Sequence, residues 1–178
     1  MIAAYAAEDA ERHIESLADL LIDAVDSGAS VGFLPPLARS EAFHYWRGVI
    51  AALREGRRVL LVAAEGEFIQ GSVQLDLETR ANGSHRAEAM KLFVDRRARR
   101  RGLAKALMAA LEDTARGLGR TLLLMDTRKG GEAEKLCESL GYTRYGEVPG
   151  YARSGSGELH ATVFFYRELS GEGPRPAS

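Results

Sequence analysis

The chain has 178 residues, 46% hydrophobic and 28% charged, with a formal net charge of -1. That balance suits one soluble domain with a substantial core, and the near-neutral charge lacks the broad basic surplus of a protein built to hold nucleic acid. Cys137 is the only cysteine, which excludes an intramolecular disulfide and a thiolate metal cluster. No apolar run approaches the roughly 20 residues that span a bilayer, and Met1 to Ala10 has no signal-peptide pattern, so a cytoplasmic setting is expected.

In chain order, Ile2 to Ala6 reads as a short strand. Glu8 to Ser27 reads as a helix through Ile14, Leu17, Leu20, Leu21 and Val25, ending at Gly28. Gly32, Phe33, Leu34, Pro35 and Pro36 place apolar groups on a loop. Ser40 is the expected N-cap of a second helix with Ala42, Tyr45, Trp46, Val49, Ile50 and Leu53 on its apolar face, closing near Gly56. Arg58 to Ala64 and Phe68 to Leu77 form a hairpin around Gly66. His85 to Val94 alternates through Met90, Leu92 and Val94, with Glu88 expected on that same face.

Leu103, Leu107, Leu111, Ala115 and Leu118 then stripe a helix whose start is crowded by Arg96, Arg97, Arg99, Arg100 and Arg101. Cations at a helix N-terminus oppose the macrodipole, whereas unpaired N–H groups there favour an anion. The conflict implies a phosphate-bearing ligand, with Gly102 and Ala104 allowing close approach to the main chain. Thr121 to Met125 is a strand covered on both faces, ending at Asp126. A short helix from Gly131 to Leu140 follows. Two strands, Tyr142 to Val148 and Leu159 to Arg167, are expected around a Pro149-Gly150-Tyr151 turn and a Ser-Gly-rich loop at Ser154 to Gly157. Residues 1–169 read as one domain and 170–178 as a disordered tail. His13, His44, His85 and His160 are too dispersed for a metal site, so none is expected.

The segment Val94-x-x-x-x-Arg99-x-x-Gly102-x-Ala104, following a strand and opening a helix, resembles the acetyl-CoA signature of the GNAT superfamily of N-acetyltransferases. The resemblance runs from about Ile2 to Leu169. Leu123 to Thr127, Ala133 to Tyr142 and Pro149 to Ala152 are similar to the branch containing tabtoxin-resistance acetyltransferases. It implies an α+β fold: a mixed, mostly antiparallel sheet of six to seven strands flanked by about four helices. It also implies acetyl-CoA as co-substrate, with pyrophosphate on the amides of Arg99, Arg100, Arg101, Gly102, Leu103 and Ala104 and with Lys105 beside it. The fourth and fifth strands splay, and the pantetheine arm pairs with Phe93 and Val94 as an added strand.

Acyl transfer to an amine needs a base, since an alkyl ammonium ionises near the lysine value of about 10.4. Glu88 is the candidate, against a structural reading as a salt-bridge or surface residue; Asp126 is the rival base and otherwise a cap. The family's Ala-x-x-Leu-Tyr position, whose tyrosine protonates the departing thiolate, is Cys137 here. Cys137 is therefore read either as the acid or as a small buried hydrophobe, with Tyr142, Tyr145 and Tyr151 as substitutes. Phe33, Asp126 and Tyr151 are the acceptor-side candidates. The expected activity is transfer of an acetyl group to a primary amine of a small molecule such as an antibiotic, toxin, amino acid or polyamine. No nucleic-acid or membrane partner is expected, and a homodimer is compatible with the sequence. The alternatives are a non-catalytic acyl-CoA sensor on the same fold and a nucleic-acid-binding module using the arginines.

Overall fold

A computed structural model describes residues 1–169; the expected tail lies outside the described residues. The strands are β1 (Ile2–Tyr5), β2 (Arg58–Glu65), β3 (Phe68–Leu77), β4 (Arg86–Val94), β5 (Leu122–Arg128), β6 (Thr143–Arg153) and β7 (Leu159–Glu168). The helices are α1 (Ala7–Arg12), α2 (Ile14–Asp26), α3 (Arg39–Arg54), α4 (Leu103–Gly117) and α5 (Glu132–Ser139). One seven-stranded sheet runs β1-β2-β3-β4-β5-β7-β6. Every pair is antiparallel except β4 with β5. This is the expected mixed, mostly antiparallel architecture.

Five helices replace the expected four or so because the run from Glu8 to Ser27 breaks at His13, whose φ of -106° and ψ of 18° are not helical. The His13 ring bonds through Nδ1 to the Asp9 carbonyl at 2.8 Å and leans on Tyr5, so the side chain shares the acceptor that the His13 backbone N–H also uses at 3.1 Å. The helix expected from Ser40 begins at Arg39, with Ala38 as an N-cap that offers no side-chain bond. The expected Pro149-Gly150-Tyr151 turn is instead an irregularity inside β6, whose register shifts between Val148 and Ala152. An edge strand tolerates Pro149 because a missing N–H costs no ladder bond on the open side.

Two cores sit on opposite faces of the sheet. On one face Ala10 of α1, Leu17 and Leu21 of α2 and Trp46 and Ile50 of α3 pack with Leu60, Val62 and Phe93. On the other, Leu107, Met108 and Leu111 of α4 pack on Val73, Leu75, Ala89 and Phe165. Leu124, Phe164 and Tyr166 belong to neither core, so the β5-β7-β6 half of the first face is left uncovered by helices.

The expected alternation in β4 is interrupted. Ser72 pairs with Phe93 and Gln74 with Met90, so β4 carries one extra residue between those pairs, and Lys91 adopts φ 54° there. A bulge of this kind reverses the facing of everything after it. Glu88 and Met90 therefore share a face with Phe93, while Leu92 and Val94 turn toward α4 with Ala87 and Ala89. The expectation that Glu88 shares a face with Leu92 and Val94 is corrected accordingly.

Candidate active site

β4 and β5 pair only from Arg86 with Leu122 to Glu88 with Leu124 and then separate. The far edge of β5 is occupied by β7, so beyond Glu88 the β4 edge that faces β5 has no ladder partner among the described residues. A peptide edge inside a fold is a template for an extended ligand bearing amides. Gly71 on β3 lies behind this stretch, where a Cβ would stand 2.7 Å from the Phe93 carbonyl oxygen, so only glycine permits β4 to run there.

At the carboxyl end of the fork lies a cleft of ≈ 690 Å³. It is lined by Leu92, Phe93 and Val94 of β4, by Arg99, Arg100, Gly102, Leu103, Ala104 and Lys105, and by Ala133, Leu136 and Ser139 of α5. The sequence reading thus has its cofactor residues brought together, except that Arg101 is not among the lining residues. The α5 wall was not foreseen, because the sequence signal for α5 drew attention to Cys137 alone. The first helical bond of α4 runs from Ala106 N to Gly102 O at 3.1 Å, which leaves the N–H groups of Leu103, Ala104 and Lys105 free of intrahelical partners. Gly102 takes φ 78° as the N-cap and Arg100 takes φ 61°. Nothing lies within 4 Å of an added Gly102 Cβ, so the conformation, not crowding, calls for glycine.

The five arginines are not a free cationic crowd. Arg97 bonds Asp95 through Nε and Nη2, each at 2.9 Å, and its guanidinium stacks 4.3 Å from the Phe68 centroid. This pairing holds the Asp95 carboxyl below its usual range. Arg96 pairs with Asp23 of α2, and its backbone N–H donates to the same carboxylate at 3.0 Å. Arg99 Nε donates to the Val94 carbonyl at 3.0 Å. Only Arg100 and Arg101 lack an internal anion among the described residues. The inference that a missing anion neutralises the whole cluster is corrected: internal partners take three arginines, and the loop amides with Arg100 and Lys105 remain for a ligand.

On the other side of the fork, Glu88 is half-buried, faces Asp76 across β3 and lines a second cleft of ≈ 410 Å³ with Asp76 and Leu124. Burial raises its pKa, and the Asp126 and Asp76 charges raise it further. Asp126 reaches solvent, yet the sheet floor strips enough water from it that desolvation also raises its pKa, against the pull of Lys91. Lys91, unforeseen because strand alternation gave no sign of the bulge, donates from Nζ to the Val31 carbonyl at 2.6 Å. Its pKa is lowered by burial. Arg58 is taken up by Asp76 at 2.8 Å and Gln74 at 3.2 Å. Glu88 and Asp126 have no ion pair or side-chain hydrogen bond among the described residues.

The remaining candidates separate. Cys137 is fully buried in the α4-side core, with Sγ 3.2 Å from Met125 Sδ. Burial pushes the thiol up to about 12, and it is not among the residues lining the cleft. The tyrosine substitutes differ: Tyr142 is buried and donates to Glu112 at 3.1 Å, whereas Tyr145 and Tyr151 are open to solvent. Phe33 stands edge-on to Tyr45 at 5.4 Å and lines a small cleft of ≈ 80 Å³ with Arg128, Ala152 and His160, next to the Asp126 and Tyr151 end of the sheet. Among the described residues no group of three or more His, Cys, Asp or Glu is arranged to hold a metal, and no helix is long and apolar enough to cross a membrane.

The sequence profile of the Acetyltransferase (GNAT) family matches residues 16–142, from α2 through the fork and α5. The chain belongs to the GNAT acetyltransferase family. An uncharacterized N-acetyltransferase from the hisH-hisA intergenic region of Azospirillum brasilense is 36% identical over 118 residues, covering 65% of this chain and 68% of that protein. Among solved structures, an N-acetyltransferase from Staphylococcus aureus Mu50 superposes with TM-score 0.78 at 18% identity, over 96% of this chain and 98% of the other. The Salmonella typhimurium protein yncA, determined with its cofactor acetyl-CoA, superposes with TM-score 0.76 at 18% identity, over 100% and 98%. These two likenesses establish the GNAT fold. The protein is an acetyltransferase, and acetyl-CoA is the acetyl donor in its family. Free loop amides, flanking cations and an unpaired strand edge at one cleft fit a diphosphate with an amide-bearing arm.

Proposed function

We propose that the protein transfers the acetyl group of acetyl-CoA to a primary amine of a small molecule by direct attack, with Glu88 as the base. The supporting observation is a half-buried carboxylate without a partner cation at the point where β4 and β5 part. Acetyl-CoA supplies the activated thioester. The N–H groups of Leu103, Ala104 and Lys105, with the Arg100 and Lys105 side chains, hold its phosphates, and the free edge of β4 through Phe93 and Val94 orients its arm.

Glu88 draws a proton from the incoming ammonium, directly or through water, and passes it to solvent through the cleft it shares with Asp76. Its raised pKa brings base and amine closer in proton affinity. Asp126, coupled to Glu88 by charge, keeps the approaching ammonium in place. Cys137 has no part in this scheme, since its thiol is sealed in the core; the sulfur's proton comes from solvent in the open cofactor cleft. The finer similarity to the tabtoxin-resistance branch supports a small, soluble amine. The nucleic-acid reading is disfavoured, because Asp23 and Asp95 occupy the cations it would use.

Release of free thiol from acetyl-CoA over a panel of amines tests the proposal. Wild type should turn over at least one amine, and Glu88→Gln should lower kcat by about 10²-fold or more, the range for loss of a general base. Thiol release unaffected by the substitution removes Glu88 from the chemistry. Binding of the coenzyme with no release for any amine favours the sensor.

A further inference from the structure

We infer that the uncovered half of the sheet is the acceptor platform, and that the acceptor is an amine carried on an aromatic body with no carboxylate beside the amine. This rests on the acetyltransferase reading above and adds the substrate class. The strand register places the parts on one face. Asp76 stands opposite Glu88, Glu88 opposite Leu124, and Leu124 opposite Tyr166; one step along, Asp126 stands opposite Phe164. Around Phe164 the rings form a cluster: Tyr145 at 6.1 Å, Tyr151 edge-on at 5.5 Å, and Tyr166 at 6.0 Å from Tyr145. Tyr145 is 57% and Tyr151 56% exposed, though both are large enough to be drawn into a core. Neither core reaches these rings.

The charges beside the cluster choose its occupant. Glu88 and Asp126 have no cation bound to them, so this edge of the platform is complementary to an ammonium group. Of the cations near this face, Arg58 is taken up by Asp76 and Gln74 and Arg86 by Glu78 at 2.8 Å, while Lys91 donates to the Val31 carbonyl and Arg128 bonds His160 at 3.1 Å. Arg128 also lies four residues beyond Leu124, the partner of Glu88, about 13 Å along an extended strand, and two residues, about 7 Å, beyond Asp126. The carboxylate of an α-amino acid, two bonds from its amine, would meet Glu88, Asp126 and Asp76 before it met that guanidinium. Aromatic rings within reach of two carboxylates accept a flat apolar body by stacking and a cation over their faces.

Three amines isolate the two claims: 2-phenylethylamine, phenylalanine, which adds a carboxylate, and ethylamine, which removes the ring. The expected result is a kcat/KM for 2-phenylethylamine at least about tenfold above each of the others, carried mainly by KM. In the double variant Tyr145→Ala, Tyr151→Ala, the preference for 2-phenylethylamine over ethylamine should collapse. Retention of the thermal shift with coenzyme A shows that this variant is folded. Preference for phenylalanine, an equal rate with ethylamine, or an unchanged preference in the variant overturns the inference. So does light scattering that shows a dimer split by the double substitution, which would make the patch a self-association face. Saturation-transfer NMR of 2-phenylethylamine on the protein with coenzyme A gives a readout independent of turnover. Ring signals lost in the variant support the platform even if no amine releases thiol, and absence of signals in wild type overturns it.

Discussion

Glu88, as the proposed base, would trade stability for chemistry. Its folded-state pKa is raised, first by burial and then by Asp126 and Asp76. The folded state therefore holds the Glu88 proton more tightly than the unfolded chain, whose glutamate ionises near pKa 4.3. A group of this sign supports the fold fully below that pH, and its contribution is lost as pH rises through the folded pKa. Glu88→Gln, the substitution expected to slow turnover, should consequently raise the melting temperature at pH 8, and the gain should vanish below about pH 4. Thermal melts of both proteins across pH 4 to 8 check this. A variant less stable than wild type at pH 8, or a difference that ignores pH, shows that the Glu88 carboxylate makes a favourable contact in the folded protein.

At the scale of elements, the loop from Asp95 to Gly102 is a strapped connection. Asp95 accepts from the Arg97 backbone N–H at 2.8 Å and from its guanidinium, while Asp23, on the last turn of α2, takes the Arg96 backbone and guanidinium. Three tethers thus fix the path of the chain into α4, so that its free amides face the cleft. Asp23→Ala removes the strap to α2 without touching the cleft lining. It should cost about 1–2 kcal/mol in urea denaturation, since it leaves a backbone donor and a partly exposed cation without a partner. It should also weaken coenzyme A binding by about tenfold in calorimetry, with Asp23→Asn intermediate because an amide oxygen can still accept from Arg96 N. Full affinity in the alanine variant would mean that the loop holds its shape without α2.

The contrast between those tethers and the sequence shows what a chain reveals about itself. The geometry of the proposed cofactor loop was legible because its signals are local: a strand, a glycine, a helix start and small residues within about ten positions. The straps were not, since Asp23 lies more than 70 residues from Arg96 and a run of arginines looks the same whether free or paired. The Lys91 bulge was also hidden, because counting alternate residues assumes an unbroken pleat, and the error misplaced Leu92 and Val94 while leaving Glu88 on its true face. Cys137 was misleading for a different reason. A position matched to a tyrosine carries no information on whether the shorter side chain reaches the cleft, and here it ends against Met125. The aromatic platform depends on topology alone, since β7 enters between β5 and β6 and so brings Phe164 beside Asp126.

The molecule as a whole is two cores sharing one sheet, and the proposed cofactor cleft lies where they meet. Its walls draw Ala24, Ala29 and Phe93 from the side of the first three helices and Leu103, Leu136 and Val94 from the side of α4. β4 and β5 pair over only three residue pairs, so the fork is the thinnest junction in the sheet. A ligand that fills it bridges both halves, and by linkage anything bound only to the folded state stabilises all of the structure that must open to release it. Acetyl-CoA at 100 times its dissociation constant should add about 2.7 kcal/mol. For a chain of this size that is a rise of roughly 5–10 °C in melting temperature. Because both cores contribute walls, the melt should move as a single cooperative transition, and hydrogen exchange should slow in α2 as well as in α4. Protection confined to α4, or a melt in which one phase moves and another stays, would mean that the two halves unfold independently and that the coenzyme touches only one of them.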